Sequence, residues 1–382
     1  MTDERTRRVQ AVLDELEADW AVLTSQEAVA YGLQHIAAVE AGPSPWDGGP
    51  TTGVISRDGT VGLVCHELEV PVAQASAVGT SDGVIVSYEC LGFTDHRPLG
   101  EKYAASVAQL FDQLDVGGVV AVEGAQVLTA VTRAVEERAT ATRTLTQALN
   151  RQRAIKTEAE VAALRRCAEV TAAGHAVVRA GGHEGRTELE LFHDVRAAME
   201  DAAGQRCAVT GDLVSGQART AAVGGWPGTR EMGPGDAIIA DLAPRVDGYW
   251  GDSCTTTCIG EPTPALADLY RLVHHAWEQV LETLRPGVTA HDFDASIRSI
   301  ITDAGFANPV HIGHSIGTSV HEWPRIIPGE HAVLQAGMVV LVEPGGYRDD
   351  VGGVRLEKMF LITEDGNEPL SPFDIPPALP SV

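Results

Sequence analysis

Asp241, Asp252, His314, His321, Glu343 and Glu357 fall within the last half of the chain. They are carried by three segments, ADLAPRVDGYWGDS, HIGHSIGTSVHEWP and LVEPGGYRDDVGGVRLE. Four carboxylates and a histidine on strand-like segments have the look of a two-metal site, because oxygen and imidazole donors together suit divalent transition ions. Asp247-Gly248 is a favourable two-residue hairpin turn. Pairing outward from it sets Asp252 opposite Ala243. Asp241, two residues from Ala243, then shares the face of Asp252 as its diagonal neighbour, with Cβ atoms about 7–8 Å apart. Arg355 and Glu357 also share a face by alternation, which places Arg355 to hydrogen-bond a ligand carboxylate or a substrate. Asp241 follows the apolar run AIIA and Glu343 follows MVVLV. An acid at the end of a buried strand is a buried charge and needs a partner. The alternative on spacing alone is four solvent-facing strand residues.

The elements that must position these groups are legible as alternating patterns. Val9, Val12, Leu13 and Leu16 predict an amphipathic helix over about residues 3–17. The apolar runs WAVLTS, TTGVIS, VGLVCH, GVIVSYE and GGVVAVEG alternate with the helical stretches SVAQLFDQL and LTAVTRAVEERA. That alternation predicts a small α/β domain over 1–150. Its loop GPSPWDGGP reads either as a pocket-side loop or as a plain connection. From 151 to 382 the pattern is α+β. One long helical stretch spans LNRQRAIKTEAEVAALRRCAEVTAAGHAVVRAGG, with Thr157 and Glu160 as a capping box, and a second helix opens at Thr187 with Glu190 as its box partner. Helices near 264–284 and 291–304 follow. The strands IIADLA, GYWGDSCTTTCIG, MVVLVEP and VRLEKMFLIT carry all four acids, so the expectation is helices packed on a strongly bent antiparallel sheet. His274 and His275 lie in the third helix and read as surface or structural residues.

Composition narrows the partners. The 382 residues include 28 basic and 53 acidic side chains, a net charge of -25. No basic run offers phosphate neutralisation, which argues against nucleic acid. No apolar run approaches the roughly 20 residues of a membrane span. The charged start MTDERTRRVQ lacks a signal-peptide core. The six cysteines form no Cys-x-x-Cys pair and no disulfide frame, so reduced thiols in a cytoplasmic protein are expected.

Taken together, DLAPRVDGYWGDSCTT, GHSIGTSVHEWP, EPGGY and VRLE resemble, in order and interval, the metallopeptidase family of methionine aminopeptidase, Xaa-Pro aminopeptidase and prolidase, which also includes creatinase. The likeness covers about residues 152–365, the family's pita-bread catalytic domain. Residues 1–150 resemble the smaller creatinase-type N-terminal domain. The resemblance implies a dinuclear-metal hydrolase of an amide-type C–N bond, by default an Xaa-Pro dipeptidase or aminopeptidase. It implies that Asp241 chelates one ion, His314 and Glu343 hold the other, and Asp252 and Glu357 bridge the two. A shared water or hydroxide is then the nucleophile, Glu343 doubles as general base, and His321 contacts the substrate or its tetrahedral intermediate. Mn²⁺, Co²⁺, Zn²⁺ and Fe²⁺ all suit such a donor set. A small peptide or amino-acid-like substrate and a homodimer are likewise implied.

Two departures stand out. The family's upstream Pro-His falls here near Ala222 and Val223, and no histidine lies between His193 and His274. The substrate-side proton carrier is thus absent, with Arg219, Arg230 or Trp226 as candidates for that wall of the pocket. The family also often has a histidine four residues before the metal-binding one, whereas His311 is three before His314. The first departure keeps open a same-fold non-peptidase acting on a modified amino acid or specialised metabolite. A pseudoenzyme acting as an interaction protein is the third reading. The complete set of ligand types argues against the metal-free chemistry of creatinase.

Overall fold

The computed structural model describes residues 4–37, 48–124 and 128–382. The chain divides into two compact units, Met1–Arg153 and Ala154–Val382. In the first, six strands form one mixed sheet in the order Val84–Tyr88, Val61–His66, Thr52–Ser56, Trp20–Leu23, Gly118–Val122 and Ala139–Thr144. Trp20–Leu23 runs antiparallel to Thr52–Ser56 and parallel to Gly118–Val122. Both faces of this strand are covered, which is why its sequence is a continuous apolar run. Ala21 and Leu23 pack with Val9 and Leu13 of the helix Glu4–Glu15, and Trp20 and Val22 pack with Val107, Leu110 and Phe111 of the helix Leu99–Leu114. The sixth strand, ATATRT, is largely exposed and has no apolar run, so the sequence pattern does not announce it. Of the loop GPSPWDGGP, residues 42–47 lie outside the described residues.

The single long helix expected around residue 155 is two helices, Thr146–Ala154 and Glu158–Arg179. Between them Lys156 N donates to Gly337 O at 2.8 Å, and Ile155 bridges Met338. A tertiary backbone bond thus outcompetes helical propensity, and the second helix restarts at the Thr157–Glu160 capping box. Thr187 and Glu190 make the second box, at the start of Glu188–Ala203. The helices Pro264–Thr283 and Ala290–Asp303 bury Leu269, Val273, Trp277, Phe293 and Ile297 against Val340, Val342 and Phe360.

The antiparallel sheet of the second unit is divided into separate ladders. The long strand Ala237–Val246 pairs with Ala208–Thr210, Leu213–Ser215, Tyr249–Trp250 and Ser253–Cys258. A second ladder runs Glu322–Ile326, Gly313–Ser315, Val339–Val342, Lys358–Ile362, Asn367–Pro369. The third is the hairpin of Gly345–Arg348 with Gly352–Arg355. Cys254 and Glu357 exchange backbone hydrogen bonds of 3.3 and 2.9 Å, which ties the first ladder to the segment between the other two.

These divisions correct the placement of the acids. Only Asp241 lies inside a strand. Asp252 precedes Ser253–Cys258, Glu343 follows Val339–Val342, and Glu357 sits between Gly352–Arg355 and Lys358–Ile362. A carboxylate within a paired strand must point along the pleat normal, whereas one at a break can be turned inward to a common point.

Candidate metal centre

The hairpin turn has Asp247 at φ 49 and Gly248 at φ 83, the two positive angles of a type I′ turn. Trp250 pairs with Arg245 and Ser253 with Leu242, so the register is unbroken across Asp252, which faces Ala243. On the other side, Val342 pairs with Lys358 and Gly345 with Arg355. Glu343 and Glu357 therefore oppose each other where the ladder is interrupted. His314 lies in Gly313–Ser315, beside a register shift between His314 and Ser315. Asp241, Asp252, His314, His321, Glu343, Arg355 and Glu357 all line one cavity of about 270 Å³.

Asp252, His314 and Glu357 are buried, with one donor atom from each within 4.8 Å of the others. His314 Nε2 lies 3.7 Å from Glu343 Oε1 and 3.9 Å from Asp252 Oδ2. Its Nδ1 is 3.0 Å from the carbonyl of Ser315 and donates to it, so the Nε2 lone pair faces the acids. Burial pushes His314 down to about 3, against the pull of Glu343, which keeps the ring neutral and able to ligate. His311 Nδ1 accepts from Arg325 Nη2 at 2.8 Å, which puts the ring proton on Nε2, 2.9 Å from Glu343 Oε1. His321 is more exposed, at the rim of the cavity, with its ring 4.2 Å from that of His314. Burial and the neighbouring His311 lower its pKa.

Burial pushes the Asp252 and Glu357 carboxyls well above the usual range, and the charges of neighbouring carboxylates add to it. Asp241 is raised by burial despite Arg355. For Glu343 burial acts upward too, but the contact with His311 and the charge of Arg355 bring it below the usual value. Asp252 Oδ1 and Glu357 Oε2 are buried with no hydrogen-bond partner among the described residues. Buried carboxylate oxygens without donors, facing a neutral imidazole nitrogen, lack a positive charge. This donor set fits a divalent cation.

Arg355 is held on several sides. Its Nη2 donates to Asp241 Oδ2 at 2.6 Å and to Asp212 Oδ2 at 2.8 Å. Its Nη1 donates to Val223 O at 2.6 Å and to Tyr347 Oη at 3.2 Å. Arg355 therefore meets a candidate ligand carboxylate directly, and those bonds engage both terminal nitrogens. Asp212 is a cavity residue that sequence reasoning missed. Its only signal is the preceding Gly211, at φ 112, where a Cβ would fall 2.1 Å from Asp241 O. That close approach lets Asp212 O accept from Asp241 N at 2.8 Å.

The candidates for the wall left by the missing histidine do not line the cavity. Arg219 donates to Glu188 Oε1 and Trp226 O, and Arg230 pairs with Asp236. Trp226 is 82 % exposed. Val223, Gly224 and Asp212 form that wall instead. His274 and His275 sit near Glu278, away from the cavity lining.

Residues 162–364 match metallopeptidase family M24. The chain belongs to that family. An Xaa-Pro dipeptidase of Pyrococcus horikoshii is 32 % identical over 223 residues, 57 % of this chain and 63 % of that protein. The chain thus spans less than two thirds of the length of the curated relatives it matches. The crystal structure of the prolidase from Pyrococcus horikoshii superposes with a TM-score of 0.80 at 22 % identity, covering 97 % of this chain and 99 % of that one. Dipeptidase PepE from Mycobacterium ulcerans gives 0.80 at 26 % identity, covering 99 % and 97 %. The fold is the α+β pita-bread arrangement of these proteins, joined to an N-terminal α/β unit.

Proposed function

We propose that the chain is a dinuclear metallohydrolase that cleaves the amide bond of small Xaa-Pro peptides. The observation that carries this reading is the convergence of the buried Asp252, Glu343 and Glu357, the part-buried Asp241 and the neutral His314 on one cavity, with Asp252 and Glu357 oxygens that have no hydrogen-bond partner among the described residues. Asp241, Asp252, His314, Glu343 and Glu357 would hold two divalent ions, of Mn, Co, Zn or Fe. When bound, the ions supply an activated water and polarise the scissile carbonyl.

The remaining work falls to the chain's own groups. Glu343 takes a proton from the attacking water, with His311 Nε2–H steadying the carboxylate at 2.9 Å. His321, at the rim, donates to the substrate carbonyl oxygen. Arg355 fixes Asp241 through the 2.6 Å hydrogen bond. Val223, Pro309, Val310 and Val320 give the cavity an apolar wall that suits a prolyl ring. The dipeptidase names of the relatives favour this reading over a same-fold enzyme for a modified amino acid and over a pseudoenzyme. The proposal includes a homodimer, to be checked by sedimentation against the chain mass of 40.3 kDa. It also includes a cytoplasmic setting, supported by six buried, unpaired cysteines.

Elemental analysis of protein purified without chelator tests the centre, with close to two ions per chain expected. A content of zero rejects the metallohydrolase. A panel of Xaa-Pro dipeptides and tripeptides with Mn²⁺ or Co²⁺ tests the substrate. Metal-loaded protein that cleaves none of them rejects the peptidase.

A further inference from the structure

Lys156 is a buried cation outside the cavity. Its side chain is 1 % exposed and that of its partner Glu322 is 5 % exposed. Lys156 Nζ donates to Ser315 Oγ at 3.0 Å and to Glu322 Oε2 at 3.2 Å. Those two acceptors are the residues that directly follow His314 and His321. One ammonium therefore ties together the two ends of the segment that connects the site's histidines.

The rest of the segment closes around the same pair. Ser315 Oγ donates to Val339 O at 3.0 Å, and Glu322 Oε1 accepts from Ser319 N at 3.2 Å. The Glu322 carboxylate lies so close to Gly317 that a Cβ there would fall 2.5 Å from Oε1. Ser315 is also the residue whose carbonyl orients His314 Nδ1. Lys156 itself is fixed by the bond of its backbone N to Gly337 O. A buried ion pair is an uneconomical way to hold a core together, since apolar residues of similar volume do as well or better. Its directional hydrogen bonds do something apolar contacts cannot, which is to set the spacing of the groups they join.

We propose that Lys156 is a positioning residue for the metal centre: through Ser315 and Glu322 it fixes the separation and orientation of His314 and His321. The catalytic part of this inference rests on the proposed hydrolase activity, while the geometric part does not.

Lys156→Met alone removes the ammonium from the buried Glu322 carboxylate, and a loss of folding is expected. The informative protein is Lys156→Met/Glu322→Leu, which replaces both charges with apolar groups. It should melt within a few degrees of the native chain. Its kcat on a cleaved Xaa-Pro dipeptide should fall about tenfold or more, with KM changed less than about threefold. Histidine ring NMR signals of the metal-free double variant should move for His314 and His321 and stay in place for His175. A stable double variant with native kcat and native ring signals overturns the proposal. If the native protein cleaves no peptide, the NMR arm decides alone: shifted signals keep the positioning role while the hydrolase reading falls, and unshifted signals reject it.

Discussion

Val223 occupies the place at which the family resemblance expects a histidine, and it does so at φ 71. A β-branched residue in the left-handed region is an outlier and costs about 1–3 kcal/mol. The surroundings over-determine it. The carbonyl accepts from Arg355 Nη1, and the side chain packs on the cluster of Val214, Ile239, Cys254 and Tyr347. Histidine tolerates this backbone region better than valine does. Val223→His should therefore fold with an unchanged or higher melting temperature. If the proposed peptidase lacks only its proton carrier, kcat/KM on Xaa-Pro dipeptides should rise about tenfold or more. A stable variant with an unchanged rate would show that the reaction does not use that group.

His175 shows the same physics within an element. The helix Glu158–Arg179 presents it to the strand Ser253–Cys258, next to Asp252 in sequence. The ring lies between Ser253 and Thr255, with Nε2 3.2 Å from Ser253 O and Nδ1 3.0 Å from Thr255 Oγ1. Burial pushes it down to about 3, and the charge of Arg179 adds to that. The folded state thus holds His175 neutral, while the unfolded chain protonates it near pH 6.5. Below that pH the unfolded state binds the extra proton, so stability falls as pH drops from about 6.5 towards 3, by up to about 1.4 kcal/mol per unit. Urea unfolding at pH 7.5 and pH 5 should show the loss, and His175→Gln should flatten it. Equal slopes in the two proteins would refute the assignment. The capping boxes, the type I′ hairpin and the core stripes were all readable from sequence because each is a local rule. The break at Ile155 was not, because it depends on Gly337 and Met338, far along the chain.

At the scale of the whole molecule, a chain of net charge -25 holds a cavity in which Arg355 pairs with Asp241 and Asp212, while Asp252 Oδ1 and Glu357 Oε2 have no hydrogen-bond partner among the described residues. The raised carboxyls of Asp252 and Glu357 have a definite consequence for stability. A folded-state pKa above the unfolded value favours the fold at low pH, and that contribution is lost as pH rises through the raised value. Cations that bind the folded site reverse the loss, by about 2.7 kcal/mol at a hundred times Kd. Calorimetry should therefore show a Mn²⁺-dependent rise in Tm that is larger at pH 8 than at pH 5, where protons compete with the metal. EDTA should remove it, and Asp252→Asn should abolish it. A native-sized shift in that variant would refute Asp252 as a ligand.

The sequence by itself determined most of the local elements and pointed to Asp241, Asp252, His314, His321, Glu343 and Glu357, which share the cavity. Turn chemistry, capping and strand alternation act over a few residues, and motif order is written in the chain. Only the tertiary structure decided that three of the four acids sit at breaks between ladders. It alone placed Asp212 and His311 among them, and spent Arg355 on Asp241, Asp212, Val223 and Tyr347. Those outcomes depend on which strands meet across long sequence separations. A carboxylate's partner, unlike its strand, is chosen by the residues that burial brings around it.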